Sequence, residues 1–224
     1  MEAYPRRTFT AKKNLAEHVK EQSDFLDHEL THRLEEAKTG TRRVYFVDAS
    51  HFVYGTFLCC LWSLTRLWIP AASGRQRFNV LGAYDPILHK LISVRNTTTV
   101  NAETMCELVQ LVRQENQHDP DKPITFVLDN ARYQRNAWVQ EMAGELGIEL
   151  LFLPSYSPNL NLIERYWRLI KKQALYGKYH RNFAAFRAAI EQSMIELHDT
   201  KRDKLETMMT LNFQTFEKVS LMAA

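Results

Sequence analysis

The chain has 224 residues, 45% hydrophobic and 25% charged, with a net charge of +3. That length suits one domain of about 150–200 residues plus an extension, and the composition is that of a soluble globular protein. Three cysteines, Cys59, Cys60 and Cys106, lack zinc-ligand spacing and form no disulfide framework. They read as small buried side chains in a reducing compartment. Met1 to Lys13 is polar and basic, and no secretory signal is visible there. The most apolar stretch, Phe52–Thr65, spans 14 residues and is interrupted by Gly55, whereas a membrane span needs about 20. No membrane association is expected, and the location is read as cytoplasmic.

Residues 12–38 show helical spacing through Leu15, Val19, Phe25, Leu26, Leu30 and Leu34, with Gly40 as the C-cap. A strand is expected at Arg43–Ala49. Residues 52–95 read as several antiparallel strands. Among them are Phe57–Leu64 and Leu67–Ile69, then a turn over 70–74. Phe78–Tyr84 and Lys90–Val94 pair across Asp85-Pro86. Asn101 caps a helix through about Gln114. A strand at Ile124–Asp129, a helix from Asn136 to Leu146 and a strand at Ile148–Leu153 follow. Helices are expected over Leu160–Tyr176, Phe183–Leu197 and Asp203–Val219. Strands alternating with helices late in the chain imply parallel pairing, hence an α/β sheet with helices on both faces. Trp62, Trp68, Trp138 and Trp167 read as core.

Two apolar runs end in carboxylates: Val44-Tyr-Phe-Val-Asp48 and Ile124-Thr-Phe-Val-Leu-Asp129. Both are too short for helices and rich in β-branched and aromatic residues, so they read as strands buried on both faces. In such sheets ligands gather beyond the carboxyl ends of the strands. A third carboxylate, Glu164, lies on a helix whose apolar face is Ile163, Trp167, Ile170 and Ala174. Asn161, Glu164, Arg168, Lys171 and Lys172 take the other side. Three converging carboxylates repel one another and invite a divalent cation. Singly, each has an ordinary reading: Asp48 as a turn cap, Asp129-Asn130 as an Asx turn, and Glu164 with Arg168 as an i,i+4 surface pair. His51 reads as a packing residue rather than a ligand. Basic residues cluster from Arg165 to Arg181, beside Glu164, where a phosphate-bearing partner fits as well as plain solvent.

Phe126-Val-Leu-Asp-Asn-Ala-Arg132 and Leu153-Pro-Ser-Tyr-Ser-Pro-Asn-Leu-Asn-Leu-Ile-Glu164 resemble the signature of DDE transposases of the mariner superfamily, and most of all its bacterial insertion-sequence branch. The 34 residues between Asp129 and Glu164 match that branch. Val47-Asp-Ala-Ser-His-Phe52 resembles the first-aspartate motif, with Ala49 where some relatives carry an acid. Segments 73–83 and 178–183 are also similar, and the likeness covers about residues 40–190.

The resemblance implies a ribonuclease H-like fold, with a mixed five-stranded sheet and helices on both faces. It implies two Mg²⁺ ions, replaceable by Mn²⁺, held by Asp48, Asp129 and Glu164. It implies DNA as partner, as terminal inverted repeats and as target, and a homodimer in the active complex. The expected organisation is an extension or linker over 1–40, the catalytic domain over 41–200 and a C-terminal helix over 201–224. Asn130, Arg132, Tyr156, Ser157, Asn161, Arg165, Arg168, Lys171 and Lys172 are the candidate DNA contacts, and the setting would be the bacterial nucleoid. Two alternatives remain open: a ribonuclease H-like nuclease that cuts without joining, and a non-catalytic DNA-binding derivative. The family also implies an N-terminal helix-turn-helix. The roughly 40 residues before the first strand hold at most one long helix, so weak DNA binding with little sequence preference is expected.

Overall fold

The computed structural model describes residues 15–55, 68 and 75–213. At the centre of its sheet is β1 (Arg43–Val53). The first part of β1 pairs in parallel with β4 (Ile124–Leu128), from Arg43↔Ile124 to Phe46↔Val127. From Phe46 to Val53 it pairs antiparallel with β2 (Arg77–Asp85). β3 (Lys90–Asn96) extends the β2 edge antiparallel, and β5 (Ile148–Phe152) extends the β4 edge in parallel. The order is β3-β2-β1-β4-β5, the mixed five-stranded sheet expected. β1 runs on past Ala49 because β2 still offers backbone partners after β4 has ended. All five residues of β4 are buried, as a strand covered on both faces requires.

Alternation along the strands splits the core in two. Tyr45, Val47, Leu81, Ala83, Phe126 and Leu128 face α3 (Ala102–Glu115) and α4 (Ala137–Glu145). Both helices start at an asparagine cap. Asn101 accepts from the Thr104 N–H at 3.0 Å, and Asn136 accepts from the Trp138 N–H at 2.9 Å. Val44, Phe46, Phe52, Phe78, Val80 and Tyr84 face the other way, in one core with α5 (Ile163–Ala174), α6 (Phe183–His198) and α7 (Arg202–Met208). Phe25, Leu30, Leu34 and Ala37 join that core from α1 (Leu15–Phe25), a single π-helical turn at Leu26–Leu30, and α2 (Thr31–Thr39). Gly40 ends α2 at φ +79, a left-handed conformation that glycine adopts at little cost. Glu149 on β5 fastens α2 to the sheet: it accepts from Arg33 Nε at 3.1 Å, Arg42 Nη1 at 3.0 Å and Thr125 Oγ1 at 2.7 Å.

Three expectations change. α7 ends at Met208 and residues 209–213 are not helical, while 214–219 of the expected helix lie outside the described residues. Trp138 is 48% exposed, because α4 turns its neighbours Val139 and Ala143 inward, and Trp68 is 84% exposed. Trp167 is core and Cys106 is buried, as expected. The strands at 57–64 and 67–69, the turn at 70–74, Trp62, Cys59 and Cys60 lie outside the described residues, apart from Trp68. Among the described residues no helix is long and apolar enough to cross a membrane.

Candidate active site

Parallel pairing between β1 and β4 stops at Phe46↔Val127, and the two strands part there. Asp48 follows two residues later on β1, and Asp129 follows two residues later beyond β4. Both share strand parity with the residues that face α5, so the sheet itself aims them to one side. Glu164 is the second residue of α5 and completes the group. Burial, then the charges of Glu164 and Asp129, push the Asp48 carboxyl up to about 7, with the Ala49 N–H and the Trp167 indole acting the other way. Burial also raises the Glu164 carboxyl, and Asp129 adds to this, while Lys171 and Arg168 oppose it. Asp129 itself is exposed, and its Oδ1 accepts from the Ala131 N–H at 3.4 Å, an Asx-type contact.

Asp129 and Glu164 line a pocket of about 190 Å³ with Pro154, Tyr156, Ser157 and Asn161. Among the described residues three non-glycines have positive φ, and two of them border this region, Asn130 at +73 and Tyr156 at +62. Such strain persists where surrounding structure enforces it, and it clusters at functional sites. Asn130 is held by its amide. Nδ2 donates to the Leu153 carbonyl, and Oδ1 accepts from Arg135 Nε at 3.0 Å. The loop before α5 is held from the N-terminal side. Gln22, fully buried, donates to Ser157 Oγ at 2.9 Å and exchanges hydrogen bonds with Asn159 at 3.3 and 3.1 Å.

The predicted DNA contacts divide. Arg132, Arg168 and Lys172 are exposed, and Tyr156 is 56% exposed. Lys171 is half-buried, with Nζ 6.0 Å from the Phe52 ring centroid. Ser157 and Asn161 line the pocket but are buried, Ser157 against Gln22 and Asn161 through its hydrogen bond to the Val47 carbonyl at 3.2 Å. The Arg165 guanidinium donates to the carbonyls of Thr210 (2.8 Å) and Asn212. His51 stands on the opposite strand parity from Asp48 and bonds Asn79 at 2.8 Å. Sequence reasoning missed Gln22. Its signal was a polar pair, His18 and Gln22, at helical spacing on a face otherwise apolar.

The donor set fits a hard divalent cation: three carboxylates, no soft ligand, and a buried, unpartnered Asn161 Oδ1 able to accept from water around an ion. Among the described residues no three acidic, His or Cys side chains are grouped to hold one ion together. Magnesium does not require that, because it keeps several waters and takes one or two carboxylates alongside substrate phosphates.

A family description, DDE superfamily endonuclease, matches residues 43–187, which contain all three carboxylates. The chain belongs to this family. No curated protein matches it. Solved structures share the fold of the DDE domain. The Mos1 mariner paired-end complex with Mn is 16% identical, with a TM-score of 0.60, covering 96% of this chain and 68% of that one. The paired-end complex with Mg is 16% identical, with a TM-score of 0.62 and coverage of 93% and 64%. The Mos1 transposase catalytic domain with Raltegravir and Mg is 13% identical, with a TM-score of 0.57 and coverage of 88% and 94%. The ribonuclease H-like sheet expected from the DDE motifs is therefore present.

Proposed function

We propose that this DDE domain is the catalytic domain of a transposase of the bacterial insertion-sequence branch. It would cut DNA at transposon ends and join the freed 3′ end to target DNA. Asp48, Asp129 and Glu164 would hold two Mg²⁺ or Mn²⁺ ions between them. The observation that carries the reading is the gathering of these three carboxylates where β1 and β4 part, in a chain of the endonuclease family. The chemistry that bound cations supply is activation of the attacking oxygen and neutralisation of charge on the leaving one, in an in-line displacement.

The side chains around the site do the rest. Asp48 would hold a cation as the ionised carboxylate, since ligands must be deprotonated. Lys171 and Arg168 offset the negative charge of Glu164 from the same helix. Arg168 and Lys172 follow Glu164 on the same helix and are exposed, as are Arg132 and Tyr156, and these side chains would contact the DNA backbone. Asn130 is taken up in shaping the turn after Asp129 rather than in reading bases. Residues 1–40 would act as a linker or dimer contact, 41–200 as the catalytic domain and 201–224 as a C-terminal element. The working location would be the DNA itself, in a bacterial cell the nucleoid.

Incubating the purified chain with a radiolabelled transposon-end duplex and Mn²⁺ tests this. Nicking at the end and joining to a second duplex are expected, and both should vanish in Asp129→Asn. Nicking without joining would make it a hydrolytic nuclease. No cleavage in Mg²⁺ or Mn²⁺ would leave a DNA-binding derivative.

A further inference from the structure

Trp167 lies on α5 one turn after Glu164, 1% exposed, and is among the largest fully buried side chains. Phe52 and Tyr166 meet it edge-on, with ring centroids 6.3 and 5.4 Å away. The sheet is pared down to admit it. Gly82 on β2 is the antiparallel partner of Asp48, so positions 48 and 82 present the same face side by side. A Cβ at position 82 would stand 3.0 Å from two carbons of the indole and 2.9 Å from a Leu91 methyl. The indole therefore fills the place a side chain at 82 would take, beside Asp48.

The polar atom of this ring is unexplained by packing. Trp167 Nε1 is buried and makes no hydrogen bond of standard geometry. Buried N–H groups without partners are rare in folded proteins. The carboxyl beside the ring is that of Asp48, the strand partner of Gly82. An indole N–H can only donate, and an ionised carboxylate can only accept.

We propose that Trp167 is a positioning residue for Asp48, its indole N–H orienting the carboxylate for cation binding and Gly82 providing the space that brings the ring there. The inference rests on the reading of Asp48 as a ligand. Outer-shell partners of metal ligands are worth about 10–100-fold in metal affinity.

Calorimetric titration of the full chain with Mn²⁺ tests it, with melting followed in parallel. Two changes at position 167 separate shape from hydrogen bonding. Trp167→Phe removes the N–H and part of the bicycle. Benzothienylalanine incorporated at 167 keeps the bicycle and replaces only the N–H by sulfur. Both should bind Mn²⁺ at least about 10-fold more weakly. Phe186→Leu, in the same core, serves as a destabilised control and should keep wild-type affinity. Wild-type affinity in the benzothienylalanine protein overturns the proposal, whatever Trp167→Phe does. Equal weakening in Phe186→Leu overturns it as well, because the effect would then be general destabilisation. Asp48→Asn distinguishes the underlying reading. If that variant binds Mn²⁺ normally, Asp48 is no ligand. If it loses binding while the benzothienylalanine protein does not, only the role of Trp167 fails.

Discussion

Asn161 donates a 3.2 Å hydrogen bond to the carbonyl oxygen of Val47, joining the turn before α5 to the residue before Asp48. The bond crosses 114 residues of sequence and is fully buried. It sets the height of Glu164 relative to Asp48, because Asn161 stands three residues before one and its acceptor immediately before the other. Asn161→Ala leaves a buried carbonyl unpaired and should cost about 1–3 kcal/mol in urea unfolding. DNA nicking should fall further than that loss of folded protein explains. Nicking at wild-type rate in the folded fraction would show that the bond serves stability alone.

Asp48→Asn, Asp129→Asn and Glu164→Gln should each abolish nicking and joining while circular dichroism stays native. Each amide keeps the shape of the carboxylate and loses its charge. A variant that cleaves near the wild-type rate in Mg²⁺ removes its residue from the catalytic set.

These three carboxylates stand out in the sequence because each sits where a periodic pattern stops. Asp48 and Asp129 follow runs of buried strand residues, and Glu164 opens the polar stripe of a helix with six buried apolar or aromatic neighbours. The surroundings of Ser157, Asn161 and Arg165 were not legible, for a shared reason. Their partners are Gln22, the Val47 carbonyl and the carbonyls of Thr210 and Asn212, all remote in sequence. Polarity shows in a sequence, but the long-range partner that satisfies it does not. Trp138 failed for the opposite reason. Composition assigns tryptophan to the core, while the phase of α4 turns this one outward.

Metal-free stability should depend on pH through Asp48. Its folded-state carboxyl is raised to about 7, above an unfolded value near 3.9. The folded chain therefore holds an extra proton between those values. The stabilisation is complete below about pH 4 and is lost as pH rises through about 7. In chelator, the Asp48 contribution should lower Tm between pH 5 and 8, and Asp48→Asn should flatten that slope. Mn²⁺ should raise Tm at pH 8 by mass action. Asp129→Asn without metal should melt no lower than wild type. A lower Tm there would make Asp129 structural.

Glu149 governs the acid limb in the other direction. The Arg33 guanidinium, helped by Thr125 and Arg42, holds its carboxyl down at about 2. Its contribution is present above the unfolded value near 4.3 and fades as pH falls toward 2. The side chain is 38% exposed, so solvent and salt reduce the effect. Glu149→Gln should lower Tm at pH 6 and make melting between pH 5 and 2.5 less pH-dependent. An unchanged acid limb would show that Arg33 contributes packing rather than charge.

DNA affinity should come from charge. Lys171→Ala, Lys172→Ala and Arg168→Ala should weaken terminal-repeat and scrambled duplexes alike, each lowering the salt slope by roughly 1. Fluorescence anisotropy at several salt concentrations measures this. Tight, repeat-specific binding by this chain would mean that the domain reads base sequence itself.

Gln22 ties α1 to the loop that walls the acidic pocket, through side chains 135 and 137 positions away. The amide is fully buried, and it both donates to and accepts from that loop. Any displacement of the first helix therefore breaks these bonds or drags Tyr156 and Pro158 with it. Tension applied at the N-terminal end is felt within a few residues of Glu164, which makes α1 a lever on the aperture of the pocket as well as a part of the core.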